Sequence, residues 1–216
     1  MAIAYDNSTN GGSTFAASLT YSHTTSGSDR FLVVATYDEV GATSFIAGVT
    51  YAGVSMTKEA TIRCPSDRIT CLWKLHAPAS GANNVVITST GGSIVIGSDA
   101  ASYTGAAQTG QPDSSATNTA TAANSLTVST TVVASNCWLV GFFKKNSGGA
   151  FDSAGAGTTA RVNTAGLMMA DSNGTVGTGS QSLIANYVSG NFSGIIMSIA
   201  EASAGGANQP RNFLSM

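Results

Sequence analysis

FLVVATY, residues 31–37, is the stretch on which the fold turns. Its apolar run is too short for a helix and rich in β-branched and aromatic side chains. That pattern suits a strand buried on both faces or in the core of a sandwich. Around it the helical signature, apolar residues at i, i+3, i+4 and i+7, is almost absent. The polar residues are mostly Ser, Thr and Asn rather than Glu and Lys. Short β-branched or aromatic runs bounded by Gly, Asn and Asp recur instead, as in an all-β chain.

Working outward, residues 49–51 and 54–57 flank Ala52 and Gly53, which read as a tight hairpin turn. TCLWKLH, residues 70–76, alternates Cys71, Trp73 and Leu75 with Thr70, Leu72, Lys74 and His76, and Pro78 ends the strand because a proline cannot donate to a sheet ladder. VVIT at 85–88 and SIVIG at 93–97 form the next hairpin signal. Further runs follow at 126–129, 138–144, 159–163, 167–170, 182–187 and 194–200. Ten to twelve strands at this spacing predict a single β-sandwich, of jelly-roll type, over residues 1–202. Residues 104–124 are small and polar, and read as a long internal connection across one end of that domain. Residues 203–216 read as a C-terminal tail or arm, in which Pro210, Arg211, Phe213 and Leu214 would dock on a neighbouring subunit. Removing that segment is expected to weaken assembly without unfolding the sandwich.

Composition narrows the function. Charged residues make up 9% of the chain, against about 25% in an ordinary soluble domain, and the net charge is −2. The longest basic run is Lys144–Lys145, too little to neutralise several phosphates, so nucleic acid is not an expected partner. A disordered chain is excluded by 43% hydrophobic content at low net charge. Residues 131–143, the longest near-apolar stretch, are interrupted by Ser135 and Asn136 and fall short of the ~20 residues that a membrane helix needs, so no membrane is expected as partner. MAIAYDNSTN lacks the positive start and apolar centre of a secretory signal. Either a signal was removed or the protein leaves its cell by another route, such as lysis.

The three cysteines are too few for a disulfide framework or a four-ligand structural zinc site. With residues 65–68 as the loop, Cys64 faces Ile69 and Cys71 sits diagonally, which leaves a bridge between them open. Cys137, beside Trp138, reads as a small buried hydrophobe.

Catalytic chemistry finds few residues to work with. The adjacent acids Asp38 and Glu39 would point to opposite faces of a strand and read as a solvated strand end. A Ser–His–Asp site would have to use His23 or His76, both at expected strand ends, and no GxSxG elbow occurs. Asp171, Ser172, Asn173 and Gly174 resemble the start of a calcium loop without its glutamate and read as a turn. GTGSQS at 177–182 lacks the third glycine and the following helix of a phosphate loop. No cofactor is expected. For sugar binding the candidates are Trp73, Trp138, Tyr21, Tyr51 and Tyr187, each expected in a core or on a sheet surface.

Taken together, FLVVATYDE, VTYAGVSMTK, LWKLHAPASGANNVVITST, GSDAASYTGAAQTGQPD, SLTVST, WLVGFFKK, AGAGTTARVN and GIIMSIAEA resemble a β-sandwich domain of tailed-phage virion proteins and bacterial surface proteins, over residues 31–202. The resemblance implies a non-enzymatic module that displays or anchors something at a particle or cell surface, and it carries over no catalytic residue. A chain that starts at a methionine and holds little beyond the domain fits a particle coat component. The expected function is therefore that of a structural virion protein, a capsid decoration or cementing protein or else a tail or fibre component. Its partners would be other copies of itself or the major capsid or tail proteins. The rival from another class is a carbohydrate-binding module of a secreted or surface protein, with a host glycan as ligand.

Overall fold

The computed structural model describes residues 1–39, 44–65, 68–146, 149–164 and 166–203. Among them are fifteen strands and no helix: β1 (Ala4–Ala16), β2 (Ser18–Thr25), β3 (Phe31–Asp38), β4 (Ile46–Tyr51), β5 (Val54–Ser55), β6 (Thr57–Cys64), β7 (Arg68–His76), β8 (Gly81–Ser89), β9 (Ile94–Thr104), β10 (Ser114–Val132), β11 (Trp138–Lys145), β12 (Ser153–Ala154), β13 (Thr159–Thr164), β14 (Leu167–Asp171) and β15 (Gly179–Ile199). The strands form three sheets: a central one in the order β1-β9-β3-β7-β6, a second in the order β2-β8-β4-β5, and a third in the order β10-β15-β11-β14-β13, with β12 also on β15. The all-β sandwich expected from the sequence is present, with more layers than expected. There are fifteen strands rather than ten to twelve, and three sheets rather than the two of a jelly roll.

The apolar run of β3 is explained by this stacking. All eight residues of β3 are buried. Phe31, Val33, Ala35 and Tyr37 pack with Tyr103, Phe142, Ile195 and Met197 in a core shared with the third sheet. Leu32 and Val34 face the other way, with Trp73 and with Val49, Tyr51, Val85 and Ile87 of the second sheet. The central sheet is thus a middle layer, and its middle strand has no solvent face on which alternation could show. Each large side chain buried there contributes about 1.5–3 kcal/mol.

β11 repeats the pattern in the third sheet. Trp138, Val140 and Phe142 join the shared core, while Leu139 and Phe143 enter a third cluster with Leu126, Val128, Leu183 and Ala185. Those last four come from the far half of the β10–β15 ribbon, which bends back over its own sheet. The ladder runs from Ser114↔Ser198 to Val132↔Gly179 and is broken between Ala120 and Ser125. Asn118 Nδ2 donates to the Thr127 carbonyl at 2.8 Å, tying one half of β10 to the other. Missing side chains allow the close approach: a Cβ on Gly194 would lie 2.7 Å from Val128 Cγ2, and one on Gly141 would lie 3.0 Å from Leu183 Cδ1.

Asn191 pins the bend. Its Oδ1 accepts from the Ala122 amide at 3.0 Å, at a residue with φ of 49°, and its Nδ2 donates to the Pro65 carbonyl at 2.8 Å. Its amide donates to Asn146 Oδ1 at 3.2 Å, and its carbonyl accepts from the Asn146 amide at 3.1 Å.

Several expectations change. Residues 114–124 are not part of a long connection but the first half of β10, so only 105–113 link β9 to β10. Ala116, Ala120 and Ala123 pack partly buried against the third cluster, and residues this small conceal the alternation of a strand. The hairpin at Ala52 and Gly53 is present, with φ of 50° and 79° at the two positions, as a primed turn requires. Cys64 opposes Arg68 rather than Ile69, and Thr61 opposes Cys71. This one-residue change of register puts Cys64 and Cys71 on opposite faces, and all three cysteines are buried and form no disulfide among the described residues. Pro210, Arg211, Phe213 and Leu214 lie outside the described residues.

Candidate functional site

The groups singled out for catalysis are taken up by the fold. His23 on β2 is buried, with Nδ1 2.8 Å from Thr9 Oγ1 and Nε2 3.1 Å from Ser102 Oγ. Ser102 Oγ donates to Asp6 Oδ2 at 2.7 Å, so it accepts from His23 Nε2–H, and Nδ1 accepts from Thr9. A hydrolytic triad needs the reverse flow, serine to histidine to carboxylate. Burial pushes the His23 pKa down to about 4, against the pull of Asp6. His76 meets Phe31 edge-on at 5.1 Å, and burial followed by the Lys74 charge lowers its pKa.

The acids are equally engaged. Asp38 is not at a solvated strand end: it is fully buried, and its Oδ2 accepts from Ser44 Oγ at 2.6 Å and the Phe45 amide at 2.9 Å. Glu39 pairs with Arg68 Nε at 2.8 Å. Asp171 accepts two bonds from Arg161, at 2.7 and 2.9 Å, one from the Tyr103 hydroxyl at 3.0 Å and one from the Asn173 amide at 2.9 Å. Its oxygens are filled by protein donors, and Asn173 takes the left-handed φ of a turn, 49°. Among the described residues no group of three His, Cys, Asp or Glu side chains is placed to hold a metal.

The one basic run is interior too. Lys144 Nζ donates to the Lys145 carbonyl at 2.9 Å and lies 4.4 Å from the centre of the Tyr37 ring. Burial, chiefly, lowers its pKa to about 8. Of the five aromatic candidates, Trp73, Trp138 and Tyr51 are core residues. Trp73 Nε1 donates to Thr36 Oγ1 at 3.0 Å, and the Tyr51 hydroxyl reaches the His23 and Gly81 carbonyls at 3.0 Å each. The Tyr21 hydroxyl donates to Ser98 Oγ at 2.8 Å, since that oxygen's own proton goes to the Ala35 carbonyl.

Tyr187 is placed differently, beside a surface concavity at the bend of the ribbon. Ala123 pairs with Gly190 and Ser125 with Asn186, so three residues of β15, 187–189, stand opposite the single Asn124 of β10. Bulges of this kind re-aim side chains and cluster near functional sites. Here the bulge leaves Val188 78% exposed and opens a cleft of about 480 Å³ lined by Asn124, Ser125, Asp152, Asn186, Tyr187 and Val188. Behind the cleft, Lys145 Nζ sits 3.2 Å from the Tyr187 ring centre, and the Phe192 ring meets Tyr187 edge-on at 6.5 Å while stacking on Phe151 at 6.0 Å. Of the cleft residues only Tyr187 is a candidate by sequence. Ser189 and Gly190, a turn-like pair inside a strand pattern, were the available sign of a bulge.

A second feature is an edge. β10 ends the third sheet, and among the described residues no strand pairs with its outer side. Its 19 residues contain no charge and no proline. Of the other sheet edges, β6 carries Lys58, Glu59 and Arg63, β13 carries Arg161, β1 is bulged at two places and β5 has two residues, while β2 is free of charged residues and proline but only eight residues long. No known family model matches the chain, and no curated protein matches it.

Proposed function

We propose that the chain is a structural protein of a tailed-phage virion, a capsid decoration or cementing protein, that acts by association and not by catalysis. The observation that carries association is the outer edge of β10: charge-free, proline-free and 19 residues long, where the other edges are charged, bulged or much shorter. Such an edge offers a row of backbone donors and acceptors to a strand from another copy or from a capsid or tail protein. A stable contact would bury ~800 Å² on each partner. The virion assignment rests on the resemblance of residues 31–202 to virion β-sandwich domains. Low charge is compatible with it, since Ser, Thr and Asn hydrogen bonds and apolar patches then carry the contacts.

Mass spectrometry with copy-number quantification on density-purified particles tests this function. Hundreds of copies per particle are expected for a decoration protein. A few to several dozen would move the chain to the tail or fibres. Absence from particles, with the protein free in the medium, overturns the virion assignment and favours a carbohydrate-binding module, the reading to which the cleft at Tyr187 lends support.

A further inference from the structure

We propose that the cleft at the ribbon bend is a binding site for a neutral oligosaccharide. The chemistry of its wall selects that class. Among the described residues it carries one carboxylate, Asp152, and no cation. The ammonium of Lys145 is fully buried behind the Tyr187 ring and unavailable to a ligand in the cleft. An anionic ligand would meet the Asp152 charge with no cation to offset it, and a lone carboxylate does not hold a divalent cation, which takes six or more oxygens. The amides, carboxylate and hydroxyl make the wall too polar for a purely apolar ligand.

Hydroxyl groups match what remains. Asn124 and Asn186 each carry both a donor and an acceptor, as a sugar hydroxyl does, and Asp152 adds a charged acceptor. Asn186 Nδ2 donates to Ser153 Oγ at 3.2 Å, which fixes the plane of the amide at the cleft wall. The side chains of Asn124 and Asp152 are exposed and bond to no described residue. Tyr187 and Val188 supply the apolar surface against which the C–H face of a sugar ring packs. Because Lys145 and Phe192 hold the Tyr187 ring, little side-chain freedom is lost on binding. The concavity, about 480 Å³, is shallow and open to solvent, so a sugar chain would lie across it rather than be enclosed.

The experiment presents the full-length protein to an array of neutral oligosaccharides of hexoses and N-acetylhexosamines, with sialylated and sulfated glycans alongside. Hits are titrated by saturation-transfer NMR. Asn124→Ala and Asp152→Ala are exposed changes that should leave the melting midpoint unaltered. Each is expected to weaken binding of a neutral glycan on the order of tenfold, the size of a lost hydrogen bond to a polar or charged group. No bound neutral glycan, binding confined to the sialylated or sulfated set, or equal binding by both variants overturns the site. The site does not depend on the virion assignment. Glycan binding by a protein absent from particles would keep the former and remove the latter.

Discussion

Asp99 lies on β9 facing the core shared by the central and third sheets, fully buried, and among the described residues neither carboxylate oxygen has a well-formed hydrogen bond. Burial lifts its pKa from 3.8 to about 7, with the Gly11 backbone opposing. Between those two values the folded chain holds a proton that the unfolded chain has lost, so Asp99 makes stability fall as pH rises from about 4 to about 7, and the penalty persists above. His23 acts in the opposite direction. Its pKa drops from 6.5 unfolded to about 4 folded, so its contribution rises with pH across nearly the same window. The two slopes offset each other in the parent protein. Asp99→Asn removes one of them, and urea midpoints between pH 4.5 and 8 should show the variant gaining on the parent as pH rises, by roughly 3 kcal/mol across that range. Parallel curves for the two proteins would contradict an ionisable Asp99 whose burial disfavours its charge.

Gly97, also on β9, supplies a second test at this scale. A Cβ there would fall 1.9 Å from Tyr37 Cε1, and Lys144 Nζ sits 4.4 Å from the centre of the same ring, restricting its escape. Gly97→Ala should therefore destabilise by about 1–3 kcal/mol, the cost of overpacking a filled core. Combining it with Tyr37→Leu should cost less than the sum of the two single changes, by a coupling that a double-mutant cycle measures. Additivity would mean that the ring is not what excludes the side chain.

At the scale of elements, β10 is the strand with the most to explain. Its edge is proposed to take another strand, so a lysine on an exposed position should block pairing while leaving the monomer intact. Thr119 and Thr131 are exposed, one on each side of the bend. Thr119→Lys combined with Thr131→Lys is expected to abolish self-association in sedimentation velocity, and incorporation into particles, with the melting midpoint unchanged. Undiminished association would move the contact away from β10. The same strand shows what was legible from sequence. Strands with large apolar residues, such as β3, β7 and β11, declare themselves because burial needs those side chains. β10 does not, because Ala116, Ala120 and Ala123 bury as little as a loop residue would. β1 and β2 are hidden for a similar reason: YDNSTNGG pairs through backbone and side-chain hydrogen bonds, and its network of Thr9, His23, Ser102 and Asp6 depends on contacts distant in sequence. The cleft was legible only through Tyr187, since its other walls meet through a bulge whose register no local pattern fixes.

On the scale of the whole molecule, the two parts of the chain are separable in sequence but not in packing. Residues before 105 build the central and second sheets, and residues after 113 build the third. Each part has a core of its own, around Val34, Tyr51 and Ile87 in the first and around Leu139, Leu183 and Phe192 in the second. Between them lies the shared core, where Phe31, Val33 and Tyr103 meet Val140, Phe142, Ile195 and Met197. The pair of half-buried Arg161 and buried Asp171 strengthens the joint, since Tyr103 from the central sheet donates to Asp171 and the Tyr5 ring lies 4.0 Å from the Arg161 guanidinium. Parting the two would expose the apolar faces of β3 and β11 and strand a carboxylate among aromatic residues, at a cost of several kcal/mol. Neither part should therefore persist once the other has melted. Calorimetry is expected to give one transition whose measured enthalpy equals its van't Hoff enthalpy. Tyr103→Phe, which takes one hydrogen bond from Asp171, should lower the midpoint of that transition without splitting it. Two resolved transitions in the parent, or a split in the variant, would mean that the shared core binds two autonomous sandwiches more weakly than either holds itself.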